Sequence, residues 1–144
     1  MRLTGEAVAA LLPQRGAMCL IDAVEEHDAA RIVCTSARHL DPSNPLREDA
    51  RLSGLVAIEF AAQAIAAHGA LVSAGKPLTG WLARVRDCVV CCERMDDLPS
   101  PLRIEAERVA GSERALSYRF AVTAGGSEVA RGSVLIALDA GAGA

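Results

Sequence analysis

This sequence of 144 residues has few of the side chains that nucleic-acid-binding proteins use. Aromatic residues make up only 3% of it, so the rings that stack the bases of single strands are scarce. Lys and Arg are spread along the chain without a basic block, and the net charge is -3. Neither a nucleic acid nor a membrane surface is therefore expected as the main partner.

The sequence also lacks the patterns of a disulfide framework and of a metal site. Its five cysteines are an odd number, and residues 1–16 do not have the layout of a signal peptide, so free thiols and a cytoplasmic location are expected. Cys88 and Cys91 form a C-x-x-C pair, but no second pair completes a zinc site. The sequence predicts no bound metal and no tightly bound cofactor.

Apolar residues are abundant. They make up 51% of the chain and charged residues 23%, which is typical of a folded protein. The length fits one domain with a sizeable core. Residues 1–144 are therefore interpreted as a single domain, and the small residues of 138–144 as a frayed tail.

Hydrophobic patterning and turn residues divide the chain into elements with a simple order. The predicted elements are a short helix over 5–12, strands over 17–27 and 30–39 joined by a turn at Asp28, a loop, a long helix from the Ser53 cap to about residue 74, and strands over 81–92, 101–110, 115–124 and 128–138. Short turns between the last strands favour antiparallel pairing. Because the long helix is apolar on all sides, the sheet must curl around it. The order therefore predicts an α+β roll, an antiparallel sheet wrapped around one central helix.

The long helix contains LVAIEFAAQAIAAH (55–68), an apolar run with polar residues inside it. Its length would allow a membrane span, but Glu59, Gln63 and His68 favour the core helix of a soluble protein. Positions i and i+4 lie about 40° apart around a helix, so Glu59 and Gln63 share a face. Ala62 and Ala66 lie near that face and leave room beside it.

Burial of Glu59 would raise the pKa of its carboxyl group, and a partly protonated acid in an apolar tunnel is a candidate general acid. The structural alternative is a buried carboxylate that pairs with Arg84 or Arg86. The sequence leaves both interpretations open.

Two segments together resemble the motifs of one enzyme family. Residues 11–24, LLPQRGAMCLIDAV, are similar to the opening of the 3-hydroxyacyl-[acyl-carrier-protein] dehydratases of the hotdog fold. Residues 54–71, GLVAIEFAAQAIAAHGAL, resemble their central helix. The resemblance spans about residues 8–138 and is greatest for a divergent branch associated with aryl-polyene-type lipid biosynthesis.

The resemblance implies a hotdog fold and roles for individual residues. Glu59 corresponds to the acid that protonates the departing hydroxyl, and Gly54 to the backbone amide that polarises the thioester carbonyl. Gln63 corresponds to the glutamine that supports the acid, and Gln63 and Leu55 are expected to bind the substrate. A helix N-terminus supplies the positive potential that a developing enolate needs.

The family's base is a histidine in the loop before the helix, and the sequence departs from the pattern there. The corresponding position is Pro45, which cannot act as a base. His39, predicted at the end of the second strand, is the candidate replacement, and the alternative is a histidine that closes a strand end. His68 is predicted to be a core histidine facing away from Glu59, and His27 to be solvated.

Three functions follow as hypotheses. The resemblance implies dehydration of 3-hydroxyacyl thioesters, on acyl carrier protein or coenzyme A, to trans-2-enoyl thioesters in fatty-acid or polyene-type lipid biosynthesis. Hotdog proteins resemble one another in pairing side by side as homodimers or hetero-oligomers, so a non-catalytic or half-site subunit of a heteromeric dehydratase is the second. The third is an acyl thioesterase, because the fold alone does not choose the reaction.

Overall fold

The computed structural model describes residues 2–73 and 80–138. Its elements in chain order are β1 (Leu3–Thr4), α1 (Glu6–Ala9), β2 (Ala23–His27), β3 (Arg31–Ser36), α2 (Ala57–Val72), β4 (Gly80–Val90), β5 (Leu102–Gly111), β6 (Ala115–Ala124) and β7 (Ser127–Leu138). Three short 3-10 turns, Gly16–Met18, Arg38–Leu40 and Gly54–Val56, lie between them.

The seven strands form one antiparallel sheet in the order β1-β2-β3-β5-β6-β7-β4. The chain crosses over after β4, because β5 pairs with β3 and β6 and not with β4. In the described part of the chain β4 pairs only with β7, so β4 forms one edge of the sheet.

The core lies between α2 and the inner face of the sheet. In β5, alternation directs Leu102, Ile104 and Ala106 inwards, where they are buried with Phe60 and Ala64 of the helix. α2 contacts β3, β5, β6 and β7, so the sheet wraps around it. The predicted α+β roll is confirmed.

The start of the central helix is fixed by Ser53 and Gly54. The Ser53 Oγ accepts a hydrogen bond from the Leu55 amide at 3.2 Å, which confirms the predicted cap. A Cβ on Gly54 would lie 2.0 Å from the carbonyl oxygen of Cys92. Glycine is therefore required where the helix begins, because the chain after β4 passes directly against it.

The helix Gly54–Val72 is the one element of the described chain that is long and apolar enough to cross a membrane by composition. Within the protein it forms the centre of the roll, and 56% of it is buried there.

The four strands after the helix begin and end within two residues of the predicted bounds. The strand predicted over 17–27 is wrong in its first half and begins only at Ala23. Ala17 and Met18 lie in a 3-10 turn, and the Leu20 amide donates to the Gln63 side chain instead of to a neighbouring strand. The strand predicted over 30–39 ends at Ser36. The helix predicted over 5–12 has four regular residues, although turn hydrogen bonds continue to Leu12.

Two predicted boundaries fall near undescribed residues. The predicted helix end at about residue 74 lies outside the described residues, as does the tail over 139–144. Leu138, which was included both in the predicted strand over 128–138 and in the predicted tail, belongs to β7.

Candidate functional site

Glu59 lies near the N-terminal end of α2, on a stripe of the helix that the sheet does not cover. Glu59, Ala62 and Ala66 are each half-buried, while Phe60, Ala61, Gln63, Ala64 and Ile65 around them are buried. The prediction that Glu59 is buried is therefore wrong for the chain by itself. The physical reason is that the i, i+3, i+7 stripe faces a cleft between the helix and the sheet edge.

The cleft has a volume of about 270 Å³ and a mainly apolar wall. It is lined by Pro13, Gln14, Glu59, Ala62, Ile65, Ala66, Gly69, Gly80, Trp81, Leu82, Leu116, Ile136 and Leu138. From Glu59 to Gly69 the helix rises about 15 Å, so the cleft is a narrow apolar trough with the carboxylate towards one end. As predicted, Ala62 and Ala66 provide the room beside the acid.

Gln63 holds Glu59 in place. Its Nε2 donates to the Glu59 Oε1 at 3.1 Å and to the Met18 carbonyl at 2.8 Å, and its Oε1 accepts from the Leu20 amide at 2.8 Å. Gln63 is fully buried. All its polar groups are therefore engaged with the protein, so it positions the acid and the 18–20 segment, and the structure gives it no contact with the cleft.

The amide of Gly54 is already engaged in the structure. It donates to the carbonyl oxygen of Glu93 at 2.9 Å, so polarisation of a thioester carbonyl by this group would require that bond to open. Leu55 is 65% exposed and lines a separate groove with Arg51, Ser53 and Val56. The structure thus places Leu55 beside the helix start, outside the cleft that Glu59 lines.

His39 does not reach the cleft. It lies in the 3-10 turn after β3, with none of its surface exposed, and its Nε2 donates to the Leu98 carbonyl at 3.0 Å. Among the described residues its Nδ1 has no partner. Burial lowers the pKa of His39, which favours the neutral ring. The structure does not bring His39 together with Glu59.

His68 is a core residue, as predicted. It is fully buried, its Nε2 donates to the Asp28 carbonyl at 2.9 Å, and its Nδ1 accepts from the Tyr118 hydroxyl at 2.6 Å. Arg108 donates two hydrogen bonds to the same hydroxyl oxygen. Burial lowers the pKa of His68, so this network holds a neutral imidazole.

The structural alternative for Glu59 is absent from the described residues. Neither Arg84 nor Arg86 forms an ion pair there, and the only hydrogen bond that the Glu59 carboxylate makes is the one from Gln63. Glu59 is thus left open to the cleft.

Two cleft residues were not identified from the sequence. Gln14, in the first of the two motifs, lines the cleft, and its Oε1 is buried without a partner among the described residues. Trp81 is 58% exposed on the opposite wall. Trp81 is the single tryptophan of a chain poor in aromatic residues, and this is the sequence feature that could have indicated a cleft residue.

The part of the chain that the structure describes has no group of three or more His, Cys, Asp or Glu side chains arranged to hold a metal ion. The cleft offers acid–base chemistry from one carboxylate beside apolar surface. That arrangement suits proton transfer to a group on a long apolar substrate.

Comparison with solved structures shows the fold. A chain of the dehydratase heterocomplex ApeI:P from Xenorhabdus doucetiae superposes with a TM-score of 0.77 at 20% identity, over 92% of this chain and 90% of that chain. A hypothetical thioesterase with coenzyme A from Streptococcus pneumoniae TIGR4 gives 0.57 at 15% identity, over 81% and 84%. AziG of S. sahachiroi gives 0.60 at 17% identity, over 80% and 88%.

The fold is therefore the predicted hotdog fold, an antiparallel sheet wrapped around one long helix. No curated protein matches the chain by sequence. The family model of the ApeP-like dehydratases, described as ApeP dehydratase, matches residues 6–139. This match includes both motifs, the Glu59–Gln63 pair and the cleft, and the chain belongs to the ApeP-like dehydratase family.

Proposed function

We propose that the chain takes part in the dehydration of 3-hydroxyacyl thioesters to trans-2-enoyl thioesters, with Glu59 as the general acid. The observation that supports this most directly is the cleft itself. A carboxylate oriented by Gln63 faces an apolar trough and has no cationic partner among the described residues. An acyl chain would lie along Ala62 and Ala66, with its hydroxyl at Glu59.

The reaction needs an acid and a base on either side of the C2–C3 bond. A base removes a proton from C2, the electron pair forms the C2–C3 double bond, and the C3–O bond breaks as Glu59 gives its proton to the departing hydroxyl. Water leaves and the carboxylate remains. Glu59 supplies one half of this chemistry.

The base is proposed to come from a partner. The described residues that line the cleft include no histidine, and His39 is enclosed against the Leu98 carbonyl. We therefore favour a half-site subunit that pairs with a second hotdog protein, and His39 remains the alternative base if its turn rearranges. The assembly of the related dehydratase as a heterocomplex supports this proposal.

The substrate is proposed to be a thioester on the phosphopantetheine arm of acyl carrier protein or coenzyme A. A narrow trough beside the helix suits a flexible acyl chain and offers few polar groups to a compact polar substrate.

The experiment is product analysis. The purified chain, alone and mixed with a candidate hotdog protein encoded beside it, is incubated with a 3-hydroxyacyl thioester. Enoyl product from the mixture, with none from the chain alone, supports the half-site proposal. Enoyl product from the chain alone would indicate that His39 acts as the base. Release of free thiol with free acid would identify a thioesterase and contradict the proposal.

A further inference from the structure

The edge strand β4 has two arginines that pair with no acidic side chain in the described part of the chain. Arg84 and Arg86 are exposed, and neither forms an ion pair with any described residue. They line a shallow hollow of about 100 Å³ with Ser117 and Ser133. Val85 between them packs against the core, so both guanidinium groups lie on the outer face of the sheet.

The same three residues form a regular segment of β4 between two bulges. Arg84, Val85 and Arg86 pair in register with Leu135, Val134 and Ser133, and the register shifts on both sides, between 82 and 84 and between 86 and 89. Asp87, in the second bulge, has a φ of 51°. The outer edge of β4 pairs with no described strand, so its backbone groups are available to a second chain.

A second copy of this chain brings like charges together when it pairs through the regular segment 84–86 of β4. Two β4 strands can pair about a two-fold axis perpendicular to the sheet, which keeps both helices on the same face of the joined sheet. The strands are then antiparallel, so the numbers of any two residues that face each other add up to the same value. Centred on Arg84, on Val85 or on Arg86, such a pairing always sets an arginine opposite an arginine. Like charges directly opposite each other destabilise a strand pair. Asp87 neutralises one of the two arginine charges of each strand, so one positive charge per strand remains.

We propose that the β4 edge selects a different chain, whose edge strand carries carboxylates opposite Arg84 and Arg86, over a second copy of this chain. This inference rests on the proposed heteromeric function and identifies its partner by charge. Exposed Trp81, Leu82 and Val89 on the same strand supply apolar contact area for either pairing, so the arginines decide which one forms.

The test uses an acidic edge made from the chain itself. Tagged wild-type protein is immobilised for biolayer interferometry, and the double variant Arg84→Glu/Arg86→Glu is the analyte. We expect it to bind at least about tenfold tighter than wild-type analyte, with the difference largely lost between about 50 mM and about 500 mM NaCl.

The control variant Arg114→Glu/Arg119→Glu makes the same charge change on β6 and its turn, away from the edge, and should bind like wild type. A second variant, Arg84→Gln/Arg86→Gln, removes the repulsion and should associate with itself more tightly than wild type does. Circular dichroism establishes that each variant is folded.

Wild-type analyte that binds as tightly as Arg84→Glu/Arg86→Glu would overturn the inference, as would absence of binding by that folded variant. Because no substrate is present, these outcomes are independent of whether the complex dehydrates thioesters.

Discussion

The carboxylate of Glu59 is positioned by one neighbour, Gln63. The side chain of Gln63 faces the protein interior, whereas that of Glu59 faces the cleft. Gln63 uses every polar group of its side chain inside the protein, on Met18, Leu20 and Glu59. Glu59 accepts one of those bonds and otherwise faces the cleft. The glutamine therefore links the position of the acid to the position of the 18–20 segment.

Replacement of Gln63 by Leu should destabilise the fold. The buried Leu20 amide and the Met18 carbonyl would lose their partner, so the free energy of unfolding should fall by about 2–4 kcal/mol in urea denaturation. The matched control is Gln14→Leu, since the side chain of Gln14 makes no hydrogen bond among the described residues; its change should stay below about 1 kcal/mol. Equal effects would contradict the role of Gln63.

Two buried histidines should make the stability depend on pH. Burial lowers the pKa of His39 and of His68, so below the pKa of about 6.5 in the unfolded chain the unfolded state binds protons that the folded state does not. The free energy of unfolding should therefore fall as the pH is lowered from about 7.5 to about 5.5.

His68→Gln should reduce that pH dependence, because it removes one of the two buried imidazoles. Urea titrations at both pH values measure the difference. A pH dependence in His68→Gln as large as in wild type would show that the buried network holds no neutral imidazole.

At the residue scale, the sequence predicts which residues belong together better than it predicts how far each one is buried. The i, i+4 spacing of Glu59 and Gln63 predicts their shared face, and the hydrogen bond confirms it. The exposure of Glu59 and the enclosure of His39 depend on which strands cover the helix and on where the 91–101 segment passes. Helical periodicity contains neither, so the burial expected for Glu59 was wrong, and the enclosure of His39 could not be predicted.

At the scale of elements, the start of the central helix is the tightest point. Ser53 caps it, and Gly54 lies against the chain that leaves β4. The cap was predicted because it is local in sequence. The contact between Gly54 and Cys92 joins residues 38 positions apart, and nothing in the local pattern indicates it.

Gly54→Ala should therefore cost far more than a glycine replacement in open space. Its Cβ would meet the Cys92 carbonyl oxygen at 2.0 Å, so we expect a loss of about 3 kcal/mol or more. At Gly16 a Cβ meets nothing within 4 Å and only the φ of 59° is unfavourable, so Gly16→Ala should cost about 1 kcal/mol. Similar thermal stabilities of the two variants would contradict the close approach.

The strands after the helix were predicted within two residues, because Gly-rich and Pro-containing turns separate them. The order of these strands within the sheet was not predicted. The crossover that places β4 at the edge beside β7 depends on long-range pairing, and the free edge beside the cleft follows from that crossover.

At the scale of the whole molecule, the chain presents an acid in an apolar trough and a basic strand edge that forms one wall of the same trough. A partner paired along β4 would close the cleft at Gly80, Trp81 and Leu82 and bring its own groups towards Glu59. Assembly and completion of the site are then the same event.

The most direct measurement is the rate of enoyl formation by the complex assembled with the Glu59→Gln chain. Because a general acid contributes about 10²–10⁴ in rate, we expect a loss of at least about a hundredfold with assembly unchanged, and no loss in the control Glu113→Gln at an exposed turn. A complex that forms normally and dehydrates at the wild-type rate without the Glu59 carboxyl would contradict the account.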